Sequence, residues 1–218
     1  MSNLIQAQPL YEQVYKVIRD AILNGKIKSD EQINEVKLAK DIDVSRGPVR
    51  EAVRKLEQEG LLVRKKNSLY VYKTSKEDLT YIYQCRKVLE SFAVRLATEN
   101  LSEEVAQELT RIITTKEKVL NDNHVDTISE EFTKQCILFH DAILKASGNP
   151  RLIQQVNQLR SLTRFYRNSK LRLSERRGII FKEHLHIFRF IQEGNSKRAS
   201  TLMEEHLEND LCFLLKHF

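Results

Sequence analysis

Cysteine is scarce in this 218-residue chain: three residues, Cys85, Cys136 and Cys212, form an odd and widely scattered set. Such a set argues against a disulfide framework and fits free thiols in a reducing compartment. Long hydrophobic runs are missing too. The longest, such as LCFLL at 211 to 215, are too short to cross a bilayer. The opening residues MSNLIQAQ lack the charged and apolar regions of a signal peptide, so a cytoplasmic protein is expected. Neither internal repeats nor low-complexity tracts occur.

What is present is a hydrophobic content of 41%, enough for a real core, in a length that suits one large or two modest domains. Two are expected. The formal charge is +6, and it is unevenly spread: residues 1 to 74 carry 14 Lys and Arg against 10 Asp and Glu, the remainder 22 against 20. A mainly N-terminal basic excess permits an anionic partner such as nucleic acid, and equally an ordinary solvated surface.

Leu10, Val14, Val17, Ile18, Ala21 and Ile22 repeat at helical spacing, and Gly25 follows as a C-terminal stop. Val36, Leu38, Ala39 and Ile42 predict a second, shorter helix ending near Asp43. A third begins at Ser45, a possible N-cap, carries Pro48 in its first turn and closes at Gly60. Val49, Ala52, Val53 and Leu56 form its buried stripe, while Arg46, Arg50 and Arg54 recur every four residues on another face. Arginine forks at a helix N-terminus suit guanine edges or phosphate oxygens. A solvated amphipathic helix paired through Glu51 and Lys55 would look the same in isolation. The following stretch LLVRKKNSLYVYK tips the balance, because it predicts two short strands around a basic turn at Lys65, Lys66, Asn67 and Ser68. Three helices and such a hairpin make a winged helix-turn-helix.

The stretch LAKDIDVSRGPVREAVRKLEQEGLL resembles the DNA-binding signature of the GntR superfamily of bacterial transcription regulators. By that resemblance Arg46 and Arg50 would read bases, Ser45 and Arg54 would lie nearer the backbone, and the turn containing Lys65, Lys66 and Asn67 would enter the minor groove. Gly47 stands in the same DNA-facing segment where the family often has threonine, so one hydroxyl contact is missing. The wing turn also lacks the family's usual glycine.

Beyond Thr74 no strand pattern appears, and Gly, Pro and Asn mark out about six helical segments. The expected architecture is therefore mainly α: a winged helix-turn-helix over residues 1–74 and an all-α bundle over 75–218. Ser75 and Asp78 suit a cap for the first bundle helix, which carries Leu79, Ile82, Val88, Leu89, Phe92, Val94 and Leu96. Later stripes include Val105, Leu109, Ile112 and Ile113, then Cys136 and His140 one turn apart, then Ile180, His184, Ile187 and Ile191, and finally Ala199, Leu202, Met203 and His206. His140, His184 and His206 thus stand in register with apolar stripes of three helices. They could converge on a metal with Cys136 as a fourth donor, or sit as separate core residues. His124, His186 and His217 fall off these stripes and are expected at the surface.

FH, SGNPRL, EH at 183 and 184, and HL at 206 and 207 are together similar to the FCD effector-binding bundle of the FadR-type branch, in its shorter six-helix subgroup. The resemblance implies a divalent metal held by an aspartate and three histidines. The aspartate position is Cys136 here. A thiolate would favour tetrahedral Zn²⁺, with nickel, manganese or iron as the other members of the set. Alternatively Cys136 stays outside a three-histidine site open to an organic acid, or acts as a thiol-based redox or metal sensor. Arg86 is a candidate for pairing with a carboxylate effector, or for a salt bridge to Glu90, and Arg164 and Tyr166 are weaker candidates for the pocket wall.

The expected function is a homodimeric regulator of operator DNA whose affinity changes when the bundle pocket fills, and not an enzyme. A metal-dependent hydrolase would need a positioned base. Glu183 adjoins His184 but projects about 100° around the helix, so it is expected to point elsewhere.

Overall fold

The computed structural model describes the backbone of residues 8–73, 75–121, 125–168 and 176–218, and their side chains apart from those of 125–129 and 164–168. Two compact units divide the chain, Met1–Asp78 with Arg160–Lys170 and Leu79–Leu159 with Leu171–Phe218.

In the first unit α1 (Leu10–Leu23), β1 (Gln32–Ile33), α2 (Glu35–Asp41), α3 (Arg46–Gln58), β2 (Leu62–Lys65) and β3 (Ser68–Val71) follow in order. Asn34 caps α2, its side chain accepting from the N–H groups of Val36 and Lys37 at 3.0 and 3.1 Å. Ser45 occupies the N-cap of α3 without making a side-chain cap bond. Its hydroxyl is therefore not spent on the helix. Val49, Ala52, Val53 and Leu56 are all buried on the inner face of α3, each large apolar one stabilising by about 1.5–3 kcal/mol.

The sheet has three strands in the order β1-β3-β2, both pairs antiparallel. The hairpin matches the expected wing. The added strand β1 is only Gln32 and Ile33, paired with Tyr70 and Leu69, too short to leave an alternating pattern in sequence. Lys66 itself takes the left-handed conformation, φ 55°, that glycine would have supplied at the turn. Several expected core residues face outward instead: Leu10, Val17 and Val36 here, and Val88 and Phe92 in the second unit.

Six helices make up the remaining described elements: α4 (Lys76–Glu99), α5 (Glu103–Asn121), α6 (Val125–Ala146), α7 (Pro150–Asn168), α8 (Arg177–Gln192) and α9 (Ser196–Lys216). Ser75 accepts from the Asp78 N–H at 3.0 Å, and Asn149 caps α7 through Arg151 and Leu152. The α8–α9 turn matters most for the site. Gly194, at φ 71°, donates to the Ile191 carbonyl, and Asn195 donates to Phe190, the paired bonds of a Schellman stop. Asn195 then caps α9 by accepting from Arg198 N–H at 3.1 Å. One residue pair thus ends one helix and starts the next. His184 lies ten residues before Gly194 and His206 eleven after Asn195, about 15 Å along each arm at 1.5 Å per residue, so the hairpin sets them abreast.

Candidate functional site

The outer face of α3 carries Arg46, Arg50 and Arg54, all exposed. Arg54 is tied to Glu51 at 3.1 Å, whereas neither Arg46 nor Arg50 meets a carboxylate among the described residues. These two guanidiniums are available to an outside anion. Gly47 and Ser45 are exposed beside them. On the wing Arg64 grips Glu57 of α3 through two bonds of 3.1 Å, fixing the hairpin against the helix. Lys65 pairs with Asp30 at 2.5 Å and lies 5.1 Å from the Tyr70 ring centre. Its bond holds the Asp30 carboxyl below the usual carboxylate range. Lys66 and Asn67 occupy the exposed tip.

The second unit contains the three-histidine cluster. His140 from α6, His184 from α8 and His206 from α9 are buried, and one ring nitrogen of each lies within 4.8 Å of the others. Their stripes do converge. His184 Nε2 stands 3.2 Å from His206 Nε2. Nitrogens about 2.0–2.1 Å from a common metal would stand roughly 3.0–3.4 Å apart in octahedral or tetrahedral geometry, so this pair fits one ion. Each ring also has a partner on its Nδ1. For His140 it is Glu90 Oε2 at 2.8 Å, for His206 Glu183 Oε2 at 2.7 Å, and for His184 Lys116 Nζ at 2.6 Å. A carboxylate that accepts from Nδ1–H leaves Nε2 unprotonated as the metal donor, and for His184 the same tautomer requires the Lys116 amine to be uncharged and to accept.

Those partners were missed in the sequence. Glu183 points away from His184, as its position on the helix requires, but the packing of α9 brings His206 to it. Lys116 was legible in principle: it falls on the α5 stripe after Leu109, Ile112 and Ile113, a lysine where an apolar residue belongs. It is wholly buried, its Nζ 5.0 and 5.7 Å from the ring centres of Phe132 and Phe139. Burial pushes its ammonium below the usual lysine range, opposed by the nearby Cys136, to which it is hydrogen-bonded, and by Glu183.

Cys136 is not a member of the converging set. It packs with Phe132 and Ile180 and beside Lys116. Its contacts include apolar side chains and the Lys116 amine. Arg86 lies 2.7 Å from Glu90, both buried, so the salt-bridge alternative describes its contact. Arg176 bridges α8 and α9, donating to the Asn209 carbonyl at 2.8 Å and reaching Glu183 and Asp210 at 3.3 and 3.4 Å. Tyr83 donates to Asp210 at 2.5 Å. Glu183 is thus clamped between Arg176 and His206. Among the expected residues, Arg164 and Tyr166 have side chains outside the described residues, as does His124. His186 and His217 are exposed.

Comparison with known proteins gives matches along the whole chain. Residues 10–69 match the model of bacterial regulatory proteins of the gntR family, and residues 81–209 match the FCD domain. The HTH-type transcriptional regulator YdhC of Bacillus subtilis is 32% identical over 216 residues, covering 99% of this chain and 95% of the relative. The Nta operon transcriptional regulator of Aminobacter aminovorans is 27% identical over 86% of this chain and 83% of its own. The gluconate operon transcriptional repressor of Bacillus licheniformis is 28% identical over 66% of this chain and 57% of its own. Among solved structures, E. coli McbR/YncC superposes with a TM-score of 0.76 at 22% identity, covering 97% and 99% of the two chains. That likeness shows the fold.

Proposed function

The chain belongs to the GntR family of DNA-binding transcription regulators, with an FCD domain as its larger part, and from that premise we propose that a divalent metal in the three-histidine pocket and a small carboxylate beside it control its affinity for operator DNA. Residues 1–74 serve as the DNA-binding domain and 75–218 as the effector domain. Arg46 and Arg50 contact base edges and the wing tip contacts phosphate or the minor groove, supported by the exposure of both guanidiniums and of Lys66 and Asn67.

The observation that carries the pocket reading is the convergence of three buried imidazoles, each with a partner behind it. Separate core histidines would also find partners, but would not bring one ring nitrogen from each of three helices within 4.8 Å of the others. His140, His184 and His206 would hold the metal, and the metal would supply open positions for a carboxylate ligand. One relative is named for a gluconate operon, and gluconate is a carboxylate. Cys136 does not ligate in this reading. A hydrolase would need a base facing the metal, and Glu183 is instead occupied by His206, Arg176 and Asn209. A second copy of the chain completes the regulator, because two helix-turn-helix units match two half-sites. The exposed apolar row Tyr81, Val88 and Phe92 on α4 offers a surface for it.

The test is the metal content of purified, tag-free protein by mass spectrometry, before and after chelation, for the wild type, Cys136→Ala and His206→Ala. Near-stoichiometric metal in the wild type and Cys136→Ala but not in His206→Ala is expected. Loss in Cys136→Ala would return the thiol to the ligand set. No metal in the wild type, even after reloading, would overturn the metal half of the reading.

A further inference from the structure

Two of the three rings in the pocket are backed by carboxylates, the ordinary partners of a metal-bound imidazole. His184 is backed by an amine. Lys116 Nζ stands 2.6 Å from its Nδ1, and the lysine has no exposure at all. A buried lysine is costly for a fold to keep, and an apolar residue would fill the same space on α5.

We propose that Lys116 is a positioning residue: its amine, uncharged and accepting from the His184 Nδ1–H, fixes the imidazole in the tautomer and orientation that turn an unprotonated Nε2 toward His206 and the rest of the cluster. This rests on the reading of the histidines as metal donors. Phe139 stacks on His184 with centroids 4.2 Å apart and 19° between the planes. Stacking sets the plane of the ring but is nearly indifferent to a half-turn about Cβ–Cγ. That half-turn exchanges Nδ1 with Cδ2 and Nε2 with Cε1, leaving carbon where the donor nitrogen should face His206. A polar partner behind the ring distinguishes the two states, and Lys116 supplies it. The amine is itself held in place between the Phe132 and Phe139 rings and by the Cys136 thiol. Cys136 thereby acquires a place in the pocket without touching a metal: it occupies the position where the family resemblance puts an aspartate and braces the lysine instead.

Lys116→Met keeps the length and apolar volume of the side chain while removing the amine, and Lys116→Gln returns a polar head. In metal-free protein, long-range ¹H–¹⁵N spectra report which ring nitrogen of His184 is hydrogen-bonded, and cobalt(II) titration followed by absorbance gives metal affinity. Circular dichroism checks that each variant is folded. In Lys116→Met the His184 nitrogen shifts are expected to change while those of His140 keep their pattern, cobalt affinity is expected to fall by about 10–100-fold, and Lys116→Gln is expected to recover part of it. Unchanged His184 shifts together with unchanged cobalt affinity would overturn the proposal. If the wild type binds no cobalt, the metal reading fails by itself, and the His184 shifts in metal-free protein still decide the role of Lys116.

Discussion

Arg86 and Glu90, one turn apart on α4, form an ion pair at 2.7 Å with both side chains almost wholly buried, and Glu90 turns its other oxygen to His140 at 2.8 Å. An arginine that sequence alone offers to an effector is thereby engaged in holding the residue that holds a pocket histidine. Arg86 also lies over the Tyr83 ring at 4.6 Å, and Tyr83 reaches Asp210, so this side of the pocket is one connected polar network.

Removing Arg86 should therefore be a stability event. Arg86→Met removes the guanidinium from a buried carboxylate and is expected to destabilise the protein by about 3–5 kcal/mol in urea unfolding, with Arg86→Met/Glu90→Gln recovering much of the loss. Normal stability with a lost response to carboxylates would instead identify Arg86 as the effector ligand.

On the DNA side, Arg46→Ala and Arg50→Ala are each expected to weaken operator binding by about 1–3 kcal/mol, measured by fluorescence anisotropy, with unfolding unchanged. Arg54→Ala should cost less, since Arg54 is already paired with Glu51. Equal effects at all three positions would contradict the assignment of the first two as base readers.

The wing tip makes a different prediction. Lys66→Ala is expected to weaken binding about equally for operator and unrelated DNA and to reduce the slope of log affinity against log salt by about one. Lys65→Ala should do less, because Asp30 already neutralises that ammonium at 2.5 Å. An unchanged salt slope in Lys66→Ala would remove the wing from the interface.

Lys116 should leave a signature in the pH dependence of stability. Its folded-state pKa lies below the unfolded value, so at intermediate pH the unfolded chain binds more protons and stability rises with pH. The penalty for burying the charge is fully present below the folded pKa and is relieved as pH climbs toward the unfolded lysine range near 10.4. Lys116→Met removes this contribution. Its advantage in unfolding midpoint over the wild type is expected to be largest at neutral pH and to shrink toward pH 10. A difference independent of pH would show that Lys116 titrates as an ordinary lysine.

Metal should stabilise the folded chain by mass action. Zinc at a free concentration of 100 times its dissociation constant is expected to add about 2.7 kcal/mol, read as a raised melting temperature, in the wild type and in Cys136→Ala. His184→Ala should abolish the increment. Equal stabilisation in His184→Ala would place the ion elsewhere.

Much of this molecule is legible along the chain. The α3 stripe, the basic wing, the glycine and asparagine stops and the register of His140, His184 and His206 all appear as local spacing. The one added strand, β1, is two residues long and has no spacing to show. Val88 and Phe92 misled because a long helix with apolar residues on more than one side does not say which side meets its neighbours. On α4 the inward row is Leu79, Tyr83, Arg86, Glu90, Ala93 and Ala97, which includes charged residues that a hydrophobic pattern passes over.

The sequence by itself determined the elements and the register of His184 and His206, because the Gly194–Asn195 stop and helical rise fix how far each lies from a shared turn; that the rings meet was decided by packing. Tertiary structure alone decided what stands behind each ring. Glu90, Lys116 and Glu183 come from helices whose side chains meet the histidines only after the bundle is packed, and their hydrogen bonds span 23 to 68 residues of chain in the two cases of Glu183 and Lys116. A period of 3.6 residues reports which face of a helix is buried. Which polar atom on a neighbouring helix it meets depends on how the helices pack, and no local spacing encodes that.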